Sequence, residues 1–290
     1  MSGAPTRAIV RRPANGSAPA EASEAADAAG WWLFEEPVES LVAQEIGEVA
    51  PLLAHLEAAG ERGLWAVGYV TYEAAPAFDR VFTVCPKAPG PLAAFSLFAA
   101  PRAIPSISAG TLEPGTVETE PAVALLGEAA HAAAIARILG AIAAGETYQV
   151  NFTFPLQRPF AGDPEALFWR LAPGSAAPHA CFLDCGERAI LSLSPELFFA
   201  REAGRLVMRP MKGTRPRGRF TAEDEELRAE LATSPKERAE NLMIVDMVRN
   251  DLGRLAEPGS VATLRLFEIE RYPTVWQMTS TVTARSSASL

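Results

Sequence analysis

The 290-residue sequence is poor in cysteine, short of positive charge and without a long hydrophobic run. Its three cysteines, Cys85, Cys181 and Cys185, are too few for a disulfide framework and read as core or surface thiols of a reducing compartment. A zinc site on Cys181 and Cys185, which share a face of one strand, needs two more ligands, and His179 alone does not supply them. No stretch approaches the about 18 apolar residues of a membrane span, and residues 1–29 hold no apolar core of a secretory signal. A net charge of −9 argues against general nucleic-acid binding, which requires a basic face. No internal repeat is present. These absences predict a soluble, cytoplasmic protein with neither membrane nor nucleic acid as partner, whose basic patches are local and serve a small anionic ligand.

What is present is ordinary globular material, 49% hydrophobic and 21% charged, enough for one large domain or two modest ones. Residues 1–29 are of low complexity and predict a disordered tail. Trp31–Phe34 reads as a short strand. Pro37–Gly60 has helical periodicity, with a kink or break expected at Pro51. Strands are expected from Leu64 and over Leu92–Ala99. Pro101–Pro121 is rich in Pro, Gly, Ser and Thr and places a boundary near residue 118, giving regions 30–118 and 119–290. Gly127–Ala144 predicts a helix, Thr147–Leu156 a strand, and Asp163-Pro164 a capped helix start. Four strands between His179 and Met211 read as an antiparallel meander. Helices over Ala222–Ala232 and Pro235–Leu252 and two strands, at about 261–269 and 272–284, follow. Helices and strands fall in blocks, so the fold class is α+β.

The chemistry concentrates between Met208 and Gly253. Arg209, Lys212, Arg215, Arg217 and Arg219 crowd what reads as one loop, in which Gly213 and Gly218 permit tight turns. Such a loop grips a carboxylate or phosphate, or else it is a solvated basic loop paired with the nearby acids Glu223, Asp224, Glu225 and Glu226. It is no nucleotide-binding P-loop, because GTRPRG lacks the lysine-hydroxyl ending. Lys212 alone among these cations can lose its proton, and neighbouring positive charge favours that; otherwise it is one more surface lysine. Ser234-Pro235-Lys236-Glu237 fits a capping box, with Ser as N-cap, Pro at the first helical position and Glu at the third, which accounts for Glu237 structurally. Glu240 lies on the same face at i+3, and two carboxylates there suit Mg2+; the alternative is a solvated helix residue. Glu196, after Ser194-Pro195, is a general acid or base if it borders a substrate, and a turn residue if it does not.

Six segments, in order and spacing, resemble the chorismate-utilising enzymes: GETYQVNFT (Gly145–Thr153), LSLSPELFF (Leu191–Phe199), PMKGTRPRG (Pro210–Gly218), ERAENLMIVDMVRNDLGR (Glu237–Arg254), PGSV (Pro258–Val261) and YPTVWQMTSTV (Tyr272–Val282). The resemblance implies a two-sheet sandwich with flanking helices, like that of anthranilate synthase, and makes 119–290 part of a chorismate-binding catalytic domain. Gln149 stands where isochorismate- and salicylate-forming members carry a water-activating lysine, which implies ammonia as nucleophile. Lys212 stands where aminodeoxychorismate synthases carry lysine and anthranilate synthases usually alanine. The implied activity is therefore formation of 4-amino-4-deoxychorismate, the precursor of p-aminobenzoate and folate, by a component I that receives ammonia from a glutamine amidotransferase. The implied roles are Lys212 as nucleophile, Glu196 as proton shuttle, Gly213 and Thr214 as substrate contacts, and Glu240 with Glu237 as the Mg2+ site.

The sequence departs from the family in one respect. The GAPK segment, the glycine-rich carboxylate-binding loop and a further metal-binding glutamate are not found, so the sequence predicts a catalytic domain without its C-terminal part and lacking full activity alone. The alternatives are anthranilate synthase component I and a non-catalytic chain that binds without turnover.

Overall fold

The computed structural model describes residues 3–12, 30–85, 90–105, 118–119 and 121–287. In chain order the elements begin with β1 (Arg7–Arg11), β2 (Trp31–Phe34), β3 (Glu39–Ala43), α1 (Ile46–Glu61), β4 (Trp65–Val70), a 3-10 segment (Tyr72–Ala77), β5 (Ala93–Phe98) and β6 (Arg102–Ile104). Next come β7 (Glu118–Thr119), β8 (Val123–Ala124), α2 (Glu128–Ala143), β9 (Leu156–Gln157), β10 (Phe160–Ala161) and α3 (Pro164–Ser175). The remainder is β11 (His179–Asp184), β12 (Ala189–Ser194), β13 (Leu197–Glu202), β14 (Arg205–Arg209), β15 (Met211–Pro216), α4 (Thr221–Thr233), α5 (Pro235–Gly253), β16 (Ala262–Arg271) and β17 (Val275–Arg285). This is the α+β arrangement the blocks of the sequence predict. Residues 1–109 with 168–290 form one compact unit, and 110–167 form another.

In the first unit a five-stranded antiparallel sheet has the order β12-β11-β1-β2-β6. Its strands alternate by face, as a period of two requires. Ala8, Phe34, Leu183 and Cys185 turn toward Phe98 of the three-stranded sheet β3-β5-β4, with Cys181 packed beside them. The predicted shared face of Cys181 and Cys185 is thus a core face. On the opposite face Trp31 meets Phe168 and Trp169 of α3 edge-on, and Phe182 meets Phe168. Helix α1 covers the three-stranded sheet through Val49 and Leu52.

Several expectations fail here, each for a physical reason. Residues 7–11 are no disordered tail. They form a strand in the middle of the sheet, Ile9 is fully buried, and burial of such a side chain stabilises by about 1.5–3 kcal/mol. The rest of the predicted tail, 13–29, lies outside the described residues. The division at residue 118 fails because β11 and β12 complete the sheet of β1, β2 and β6. The first turns of the predicted helix at Pro37 are instead strand β3, paired with β5. Pro51 lies inside α1 without ending it. Thr147–Pro155 forms no strand, its apolar alternation finding no ladder partner among the described residues; Phe152 and Phe154 instead rest on His131 within the 110–167 unit. Asp163 does cap α3, accepting from the N–H groups of Glu165 and Ala166 at 3.0 and 3.3 Å.

The predicted meander is split. β12 ends in the first sheet at Ser194, and after Pro195-Glu196 the chain enters a second sheet, in which β13 pairs β14, and β14, β15 and β16 all pair β17. Helices α4 and α5 cover one face of this second sheet. Leu206, Val282 and Ala284 pack against Val245, Val248 and Leu252, and Trp276 and Met278 pack against Leu231.

Candidate functional site

The predicted basic loop is largely a strand. β15 spans Met211–Pro216 and pairs antiparallel with β17. Its ladder shifts by one residue: Met211 opposes Thr279 and Thr214 opposes Gln277, so Lys212 and Gly213 together face Met278. This is a β-bulge, a device that re-aims a side chain. Gly213 has φ +103°, where a side chain is strained, and a Cβ there would lie 3.2 Å from Leu231 Cδ1 and Met278 Cβ and 3.3 Å from Glu237 Cβ. Gly213 therefore lets the bulge seat against α4 and α5, a structural requirement that exists without any ligand.

The arginines around the bulge are committed to carboxylates. Arg215 donates to Glu230 at 2.9 Å and to Glu237 at 3.1 Å. Arg217 grips Asp224 with two bonds, at 2.8 and 2.6 Å, and stacks its guanidinium on Trp276 at 4.6 Å. Arg219 bonds Glu223, and Arg209 bonds Glu270. Asp224 also accepts from the Gly218 N–H and the Trp276 indole, each bond favouring the ionised carboxylate. Arg217 above all, then Gly218 and Trp276, hold its carboxyl well below the usual range. The pairing of these cations with Glu223 and Asp224, left open by the sequence, is thus realised. Lys212 stands apart: among the described residues its ammonium has no ion pair, and the residue is half-buried.

The other expected site residues fall near β15 or on α5. Glu196 is exposed, and its Oε1 accepts from the backbone N–H of Met211, the residue before Lys212, at 3.0 Å. Its own N–H donates to Ser194 Oγ at 3.2 Å, so the turn between the sheets delivers this carboxylate to the strand that carries Lys212. Thr214 Oγ1 donates to Gln277 Oε1 at 2.9 Å. Ser234 caps α5 by accepting from the Glu237 N–H at 3.4 Å, with Pro235 in the first turn, but among the described residues the return bond of the expected capping box is not made, the Glu237 carboxylate turning to Arg215 instead. Glu237 is 11% exposed and tied to Arg215, whereas Glu240 is 35% exposed and among the described residues has an ion pair with the surface Lys236 alone, at 3.4 Å. Among the described residues no three potential metal ligands cluster. A cation here would rely on Glu240, on waters and on an anionic ligand, as Mg2+ does when it takes few protein carboxylates. Glu240 fits that role; Glu237, whose Oε1 holds Arg215, would join it through its other oxygen.

Sequence reasoning passed over Asn241. It is fully buried, and its Nδ2 donates to the carbonyls of both Lys212 and Met278, at 3.3 and 3.2 Å. The readable signal was its spacing, four residues after Glu237 and four before Val245, on the buried stripe of α5.

Among the described residues no helix is long and apolar enough to cross a membrane. A sequence profile described as "chorismate binding enzyme" matches residues 14–290. Aminodeoxychorismate synthase of Streptomyces griseus is 52% identical over 145 residues, covering 50% of this chain and 20% of that protein. Aminodeoxychorismate synthase component 1 of Klebsiella aerogenes is 47% identical over 146 residues, 50% of this chain and 32% of the relative. The matched stretch thus spans a third or less of either relative's length. Anthranilate synthase component I from Streptococcus pneumoniae superposes with a TM-score of 0.73 at 19% identity, over 95% of this chain and 71% of that structure. At that identity the likeness shows the fold, an α+β arrangement of antiparallel sheets and helices.

Proposed function

Because this chain belongs to the chorismate-binding enzymes, we propose that it serves the amination of chorismate to 4-amino-4-deoxychorismate, as a component I supplied with ammonia by a glutamine amidotransferase. The observation that carries the reading is Lys212 in its bulge. Every arginine from 209 to 219 is neutralised by a carboxylate, while the lysine that covalent chemistry needs is left without an ion pair among the described residues.

In this reading the Lys212 amine, once deprotonated, forms a bond to ring C2 of chorismate. Both ring double bonds shift by one position and the C–O bond at C4 breaks. Glu196 delivers a proton to the departing hydroxyl, which leaves as water. Ammonia then bonds to C4, both double bonds shift back, and the C2–N bond to Lys212 breaks, the proton shed by the new C4 ammonium balancing the one gained by the departing Lys212 amine. Dividing one difficult substitution into two is the general gain of covalent catalysis. Thr214 and the backbone at Gly213 line the approach to Lys212 and contact the substrate. Glu240, with Glu237 beside it, would hold Mg2+, which when bound offsets the charge of the substrate's ring carboxylate.

The test is product identification. The chain is incubated with chorismate, ammonium and Mg2+, with and without a glutamine amidotransferase subunit, and products are separated and weighed by mass spectrometry. Aminodeoxychorismate, lost in Lys212→Ala, is the expected result. Anthranilate as product would replace this reading with the anthranilate synthase alternative, and bound but unconsumed chorismate would replace it with a non-catalytic one. With ammonium omitted, a chorismate-derived mass on the Lys212 peptide is expected.

A further inference from the structure

The buried stripe of α5 runs Glu237, Asn241, Val245, Val248, Leu252. Its last three members are apolar and pack on β14 and β17. Asn241 occupies an equally buried place with an amide, which is costly unless its bonds are made. They are made: Nδ2 donates to Lys212 O and Met278 O, and Oδ1 accepts from Ser280 Oγ at 2.6 Å. Lys212 and Met278 are the residues that face each other where the β15–β17 ladder skips. A bulge leaves backbone groups without ladder partners, and a buried carbonyl without a partner is expensive. The Asn241 amide stands in for the missing ladder, with one proton on each strand.

We propose that Asn241 is a positioning residue for Lys212: it holds the Lys212 carbonyl, and with it the bulge from which the lysine side chain departs. Being fully buried, it does not touch a substrate. Ser280 Oγ orients the amide, and also accepts from the Phe267 N–H at 3.1 Å, tying the clamp to β16. Only the consequence for turnover rests on the reading of Lys212 as nucleophile; the clamp itself does not.

The test uses the full chain and acetic anhydride as a lysine probe, with peptide mass spectrometry reporting acylation of Lys212 relative to the exposed Lys236. In Asn241→Ala and Asn241→Asp the amide donor is gone, and Lys212 acylation is expected to accelerate at least about threefold relative to Lys236, as local opening exposes a half-buried group. Ser280→Ala, which frees the amide to turn, is expected to give a smaller change of the same sign and serves where either Asn241 variant does not melt cooperatively. An unchanged ratio in any cooperatively melting variant overturns the proposal, because a residue that merely fills the core would not act on one lysine selectively. The chorismate adduct on Lys212 supplies the second measurement: its rate is expected to fall about tenfold in the Asn241 variants while chorismate affinity is kept. If the parent chain forms no adduct, the functional reading fails while the acylation ratio still decides the clamp.

Discussion

Arg217 and Asp224 form a two-pronged ion pair that joins the end of β15 to the first turn of α4, Nε to Oδ1 at 2.8 Å and Nη2 to Oδ2 at 2.6 Å. The same carboxylate accepts hydrogen bonds from the Gly218 N–H and the Trp276 indole N–H. One side chain thereby fixes the turn after β15, the helix that follows it and the strand that supports it. Parallel oxygen–guanidinium bonds of this kind are directional as well as charged.

Asp224→Asn keeps the shape and removes the charge. Because the carboxyl of Asp224 is depressed in the folded state, its stabilising contribution is present above its ordinary pKa and is lost as pH falls through the lowered value. The urea midpoint of Asp224→Asn should lie below that of the parent at about pH 6, and the gap should close as the medium is acidified below about pH 3. A gap of constant size across that range would assign the effect to shape rather than charge.

Gly213 and Gly259 separate conformation from packing. Both have positive φ, +103° and +76°, but a Cβ at Gly259 meets nothing within 4 Å, whereas one at Gly213 meets Leu231, Met278 and Glu237. Gly259→Ala should cost about 1 kcal/mol through backbone strain alone. Gly213→Ala adds crowding and is expected to cost about 2–4 kcal/mol. Chemical denaturation of the two variants measures the difference.

The fold and the site were legible to different depths. The helices α4 and α5, the cap at Ser234 and the strands β16 and β17 follow from local patterning and were readable. Strand β1 was not, because RAIVR sits in a low-complexity stretch and its partner β11 lies more than 160 residues away, with Arg7 opposite Asp184. GTRPRG looked like a loop because its glycines and prolines are loop residues; β17 and the clamp from Asn241 make its first half a strand. The motifs singled out Lys212 and the two glutamates, whose places on β15 and α5 are observed and whose roles are proposals. Asn241 was not, since a lone Asn in a charged helix reads as solvated until the opposing carbonyls are known.

The two glutamates of α5 should part company when neutralised. Glu237 is nearly buried and holds Arg215, so Glu237→Gln leaves a guanidinium with half its anchorage and should destabilise by about 1–3 kcal/mol. Glu240 is more exposed and among the described residues pairs only with the exposed Lys236, so Glu240→Gln should change stability by no more than about 0.5 kcal/mol. If Glu240 carries the metal, the same substitution should abolish stabilisation of the chain by Mg2+ in the presence of chorismate, a linkage that a thermal melt reads without any turnover. Equal Mg2+ responses in the parent and Glu240→Gln would remove Glu240 from the metal site. A loss confined to Glu237→Gln would move the metal to the carboxylate that Arg215 now occupies.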